Sequence, residues 1–200
     1  MINENFVFLG LFLQVMGQIS YISSVVKGYV KPNLVSHFVW FLAPFIGVFF
    51  QLQAGARFST LSVFMTGFIS FMVFIVSILK RNGYWKLNTF DVTCGIISVS
   101  SLVIYIMTRN LEISILFAII SDSLAYIPTI KKTWRFPETE TGLMYFTGIV
   151  SNIIGLLVIK TWIFSIYSFS ISISVLNAVV LFCIYRKKIT SIFWRTFGRA

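Results

Sequence analysis

Read for hydrophobic and polar positions alone, the chain is a series of long apolar runs separated by short polar breaks. Seven runs of about 20 residues stand out: Phe6–Val26, Leu34–Leu52, Phe58–Leu79, Thr89–Thr108, Ile113–Ile130, Thr141–Ile159 and Ile163–Tyr185. Runs of that length with almost no charge predict transmembrane helices. The seventh contains the alternating stretch SFSISISV. A helix is still expected there, because a lone strand in lipid leaves its backbone unpaired.

Composition agrees with this pattern. At 58% hydrophobic, 11% charged and a mean hydropathy of +0.90, a water-soluble domain of 200 residues would not cover its own surface. The predicted fold class is therefore an all-α integral membrane protein with seven transmembrane helices. The first run follows Glu4 rather than a basic segment and is too long for a signal-peptide core, so a cleaved leader is not expected. Cys94 and Cys183 lie inside predicted helices, where cysteine acts as a small apolar residue. Neither a disulfide framework nor a metal site is expected from them.

The net charge of +10 would fit nucleic acid, but its placement points to a bilayer. With the N-terminus outside and the C-terminus in the cytoplasm, Lys27, Lys31, Lys80, Arg81, Lys86, Lys131, Lys132, Arg135, Arg186, Lys187, Lys188, Arg195 and Arg199 fall inside. These are 13 of the 16 basic residues; Arg57, Arg109 and Lys160 remain outside. That asymmetry is the positive-inside pattern, and no nucleic-acid partner is expected. The loop Lys80–Lys86 carries an Asn-Gly turn and an aromatic-basic anchor. In the tail after Tyr185, Ile189, Ile192, Phe193 and Phe197 recur at helical spacing among basic residues, which suits a helix on the anionic cytoplasmic leaflet.

The chain also repeats itself. Tyr126–Tyr145, YIPTIKKTWRFPETETGLMY, echoes Tyr21–Trp40, YISSVVKGYVKPNLVSHFVW, 105 positions earlier. Tyr21, Ile22, Lys27 and Pro32 match Tyr126, Ile127, Lys132 and Pro137 without a gap, and Trp40 faces Tyr145. A three-helix unit used twice, with one extra crossing between copies, gives a 3+1+3 layout of two parallel three-helix repeats. The expected organisation is residues 1–80 as the first repeat, 81–110 as linker loop and fourth helix, 111–185 as the second repeat, and 186–200 as the basic amphipathic tail.

This architecture resembles the PQ-loop and SWEET transporters. Ala125-Tyr126-Ile127-Pro128-Thr129, followed by Lys131-Lys132, is similar to that family's proline segment. Thr129 stands where the name-giving glutamine would be, and the first copy has Ser23-Ser24 with no proline. The resemblance implies a membrane transporter, a facilitator or proton-coupled, for a small polar solute such as a sugar, amino acid or vitamin. It would work by alternating access between the repeats. A non-transporting receptor or scaffold of the same fold is the alternative.

Asp122 is the acid well inside a predicted span. A carboxylate there costs roughly 2.5–3.5 kcal/mol on insertion scales, so it is expected to face the interior as a substrate or proton-coupling group, or to make an interhelical contact. Gln14 and Gln18 share a face of the first helix, and Asn152 lies at mid-depth on the sixth. Ser62, Thr66 and Ser70 form one stripe, while Ser170, Ser174 and Asn177 form another, either lining a path or packing helices closely. The candidate substrate-binding set is Asp122, Asn152, Asn177, Gln14 and Gln18, with Trp40 and Tyr145 closing the inner side. Those two aromatics could instead belong to an interfacial belt. Pro44 and Pro128 are hinge candidates or fixed kinks. His37, alone near a helix end, reads as an interfacial residue. No nucleotide loop, nucleophile-base pair or metal cluster appears, so neither an enzyme nor a cofactor is expected. Homo-oligomerisation stays open.

Overall fold

The computed structural model describes residues 2–81 and 89–197, with side chains described except at 90–92, 94–95 and 187–197. Among these residues there are no strands and seven α-helices: α1 (Phe6–Val26), α2 (Leu34–Gln53), α3 (Thr60–Lys80), α4 (Thr89–Thr108), α5 (Leu111–Arg135), α6 (Gly142–Leu157) and α7 (Phe164–Phe197). A single 3-10 turn, Pro137–Thr139, precedes α6. Five helices (α1, α2, α3, α5 and the Phe164–Arg186 part of α7) are long and apolar enough to cross a membrane. The described apolar part of α4, Ile96–Thr108, and the 16-residue α6 are shorter.

The helix ends follow local chemistry. Asn33 caps α2, its side-chain oxygen accepting from the backbone N–H of Val35 (3.0 Å) and Ser36 (3.3 Å). Asn110 caps α5 in the same way, through Glu112 and Ile113. Beyond the end of α1, Gly28 takes φ +78°, a left-handed turn that suits glycine. Two boundaries differ markedly from the sequence reading. Helix α5 runs to Arg135, several residues past the expected stop, because Pro128 is accommodated inside it. Pro44 is likewise interior to α2. Helix α7 continues unbroken to Phe197, so no helix end marks the expected boundary at residue 186; the tail's apolar face lies outside the described side chains. The turn and anchor of Lys80–Lys86, and Cys94, also lie outside the described residues or side chains.

Helix α1 presents the polarity expected in lipid. The buried face of α1 is Val7, Gly10, Gln14, Gly17, Gln18, Tyr21 and Val25, recurring at helical spacing. Its outward face carries Phe8, Leu9, Phe12, Met16 and Ile19, each at least half exposed. Small and polar residues point inward while large apolar ones point out, the reverse of a soluble helix and the arrangement lipid favours. Helix α2 is the most enclosed of the five candidate spans.

The packing order is regular. Helix α3 lies against α1 and α2, and α7 against α5 and α6; the backbones of α1 and α2, and of α5 and α6, do not come close among the described residues. Between these triplets α1 packs on α6 and α2 on α5. Helix α4 lies outside, against α2 and α5, where Tyr105 meets Phe49 and Phe50 edge-on or tilted.

Where α1 meets α6, no side chain fits. A Cβ at Gly17 would stand 2.1 Å from Thr147 Oγ1 and 3.0 Å from Thr147 Cβ, and one at Gly10 would stand 3.2 Å from Ser151 Cα. Gly17→Ala is therefore expected to force the helices apart and cost about 1–3 kcal/mol. Thermal unfolding of the detergent-solubilised protein should show this as a lowered melting temperature, whereas Phe12→Leu on the lipid-facing surface leaves it nearly unchanged.

Candidate functional site

The inward polar residues of four helices converge on one small cavity. It holds about 30 Å3, room for about two water-sized groups. Its lining includes Gln14 from α1, Trp40 from α2, Thr66, Ile69 and Ser70 from α3, and Asp122 and Tyr126 from α5. Met144, Tyr145 and Gly148 from α6 and Asn177 from α7 complete the wall. Both triplets thus contribute to it.

The hydrogen bonds fix how these groups point. The Thr66 hydroxyl donates to the Ser62 carbonyl at 3.0 Å, so its oxygen accepts Gln14 Nε2 at 3.0 Å and Asn152 Nδ2 at 3.5 Å. Asn152 Nδ2 also donates to the Gly148 carbonyl at 2.9 Å. With their amide nitrogens so engaged, Gln14 Oε1 and Asn152 Oδ1 are left buried without a partner. Tyr126 donates its hydroxyl to Asn177 Oδ1 at 2.9 Å. Asp122 is 2% exposed, and its Oδ2 meets no hydrogen-bond donor. A buried carboxylate without donor or countercharge is costly, and such a group requires a proton or a cation.

Toward the N-terminal end the cavity closes on small residues. Ser62 donates to the Ser151 carbonyl at 2.9 Å, Gly155 backs onto Ser62, and Gly10 onto Ser151. One turn or two beyond this layer on α1, α3 and α6 lies a cleft of about 220 Å3, lined by Glu4, Arg57, Ser59, Val158 and Lys160 among others. Lys160 and Glu4 form an ion pair across its rim.

Toward the other end the closure is aromatic and then ionic. The Trp40 and Tyr126 rings are tilted with centroids 4.4 Å apart; His37 meets Trp40 edge-on at 5.1 Å, and Tyr21 lies 6.1 Å from His37. Beyond them Lys132 bridges the triplets. Its ammonium donates to Glu140 Oε1 and, at 2.9 Å, to the carbonyl of Lys31 in the α1–α2 loop. The Tyr21 hydroxyl donates to the same Glu140 oxygen at 3.4 Å, while Glu140 Oε2 is buried and unpartnered. Burial pushes the Glu140 carboxyl above the usual glutamate range, and the Lys132 ammonium and the Tyr21 hydroxyl draw it back only in part.

Of the residues expected at the site, Asp122, Asn177, Gln14, Trp40 and Tyr145 line the cavity. Asn152 stands behind Thr66, one hydrogen bond removed, and Gln18 lies a turn further along α1, its amide directed at the Ile69 carbonyl at 3.5 Å. Trp40 and Tyr145 are buried, not placed in an interfacial belt, and His37 is a core residue, not an interfacial one. Ser62 serves helix packing, whereas Thr66 and Ser70 face the cavity. Tyr126 and the Lys132–Glu140 pair were not among the expected site residues. The repeat comparison marked Tyr126 and Lys132, but Glu140 reads in sequence as an ordinary loop acid.

The raised Glu140 value has a direction that can be measured. Folded chain holds that proton more tightly than unfolded chain, so this group makes the native state more stable as pH falls through the raised value and less stable as pH rises above it. Glu140→Gln cannot ionise. The variant's melting temperature minus that of the wild type should therefore increase from pH 4 to pH 7; a decrease would mean that the lysine pair outweighs burial.

Comparison with protein-family models, with characterised proteins and with solved structures returns no match, so what the chain does is argued from its own cavity.

Proposed function

We propose that the chain is a transporter for a small polar solute, working by alternating access between two parallel three-helix repeats, α1–α3 and α5–α7, joined by α4. The observation that carries this reading is the small cavity between the triplets, into whose largely apolar wall Asp122, Gln14 and Asn177 are set. Lipid gives no reason to bury Asp122, Gln14, Asn152 and Asn177 together, since each polar group in a span adds cost. A solute path does.

The neighbour pattern supports the repeats. Exchanging α1 for α5, α2 for α6 and α3 for α7 turns every packing pair between and within the triplets into another observed pair. The aromatic contacts follow the same exchange: Tyr126 of α5 stacks on Trp40 of α2, while Tyr21 of α1 and Tyr145 of α6 lie at the matching positions of the sequence repeat. This arrangement is similar to that of the PQ-loop and SWEET proteins. Under it the N-terminus faces outside and the basic loops face the cytoplasm.

In this reading the structure is the occluded stage of the cycle. The Gly10–Ser151 and Ser62–Gly155 layer is the outer seal. The rings, together with the links from Lys132 to Lys31 and from Tyr21 to Glu140, are the inner one. Opening either side separates one triplet from the other without unfolding a helix, with Pro44 and Pro128 at the positions where α2 and α5 lack a backbone hydrogen bond. Asp122 is the substrate-contact and proton-coupling group.

Asp122→Asn is expected to abolish the pH dependence of solute uptake into proteoliposomes between pH 5 and 8 and to lower uptake by about tenfold or more, the scale of one lost charged hydrogen bond. Its elution profile and helical content should stay those of the wild type. Uptake that keeps its pH profile removes Asp122 from the mechanism. If no sugar, amino acid, amine or vitamin raises the melting temperature of the purified protein, the receptor or scaffold reading takes its place.

A further inference from the structure

The cavity says more than that its solute is polar. Resting on the transporter reading above, we infer that the solute carries a primary ammonium group, which occupies the cavity against Asp122 in exchange for a proton. The wall is rich in acceptors with nothing to accept. Asp122 and Gln14 both line the cavity, and Asp122 Oδ2 and Gln14 Oε1 are buried beside it without donors. Gln14 cannot turn its amide to offer a donor instead, because its nitrogen is held by a threonine hydroxyl whose own hydrogen is committed to Ser62. A primary ammonium brings three donors and one positive charge to this pair.

The rest of the wall suits a cation. Trp40 and Tyr126 present rings tilted against each other and Tyr145 a third, and aromatic faces attract ammonium groups most strongly where water is excluded. No lysine or arginine lines the cavity among the described residues, so Asp122 has no protein countercharge to displace. Size narrows the choice. About 30 Å3 admits an –NH3+ group, which is close to water in size, but not a trimethylammonium head, which also has no hydrogen to donate. The unpaired Trp40 Nε1 remains for an acceptor on the body of the solute once a triplet opens.

A proton is the other cation able to satisfy Asp122. Ammonium binding therefore competes with protonation: the amine enters charged, the carboxyl releases one proton, and the site keeps the same net charge in both states. The other titratable groups near Asp122 are Tyr126 on its own helix, Tyr145 on α6 and His37 on α2, with Glu140 beyond the rings. An aliphatic amine stays charged throughout pH 5 to 8, so any pH dependence in that range belongs to the protein.

The test is thermal stabilisation of the purified protein by ethanolamine, putrescine and propylamine. Ethylene glycol, butanediol and tetramethylammonium serve as comparison probes. The primary amines should raise the melting temperature, and their half-saturating concentration should fall about tenfold or more from pH 5 to pH 8. Asp122→Asn should abolish the shift, and Gln14→Leu should weaken amine binding about tenfold, the scale of one hydrogen bond to a charged group. The pH effect should persist in His37→Asn and Glu140→Gln; its loss in either would overturn the exchange at Asp122. Equal stabilisation by the diols or by tetramethylammonium overturns the ammonium assignment and leaves the transporter reading standing. Should amino acids, sugars and vitamins fail together with the amines, both readings fall.

Discussion

The contact on which the rest of the molecule depends is the close approach of α1 to α6. Lipid offers no hydrophobic drive to bring two apolar helices together, so their association comes from surfaces that fit. Gly10 and Gly17 give α1 a smooth face, and Ser151 and Thr147 of α6 fill it. That approach joins one triplet to the other. It also brings Gln14, between the two glycines, level with Gly148 and the Asn152–Thr66 hydrogen bonds. A bulkier residue at either glycine would widen the seam and admit lipid tails or water to groups that now face only each other.

The polar groups at this seam are held unequally. Asn177, Thr66 and Asn152 Nδ2 have partners, which orient them. Asp122 Oδ2, Gln14 Oε1 and Asn152 Oδ1 have none. In a core built only for stability, this division would be a defect, because an unpaired buried polar atom costs roughly 1–3 kcal/mol while a paired one contributes about 1. A binding site needs both kinds of group. The satisfied atoms hold the wall in place, and the unsatisfied ones give a ligand something to gain.

Much of this could be read from the residues. The helices were legible because long apolar runs leave few alternatives, and the inward faces of α1, α3 and α7 followed from polar residues at helical spacing. Asp122, Asn177 and Gln14 could be named for the same reason. Tyr126 and Trp40 were visible as repeated aromatics, but their stacking across the triplets depends on which helices are neighbours, and sequence spacing does not carry that. Glu140 was hidden for a different reason. It follows a 3-10 turn and looks like a solvated loop acid until the turn folds it against Lys132 and Tyr21. His37 was misread for want of the same neighbours, since only Tyr21 and Trp40 make it a core residue.

Under the proposed repeat, the 105-residue offset also shows which positions differ between the two units. Asp122 corresponds to Gly17, Glu140 to Val35, and His37 to Gly142. Each ionisable group therefore occurs once, opposite a small or apolar residue in the other copy. For Asp122 the matching Gly17 instead provides the close contact with Thr147 on which the seam depends. Under that reading the two units supply a common frame, and Asp122 stands at a position where they differ.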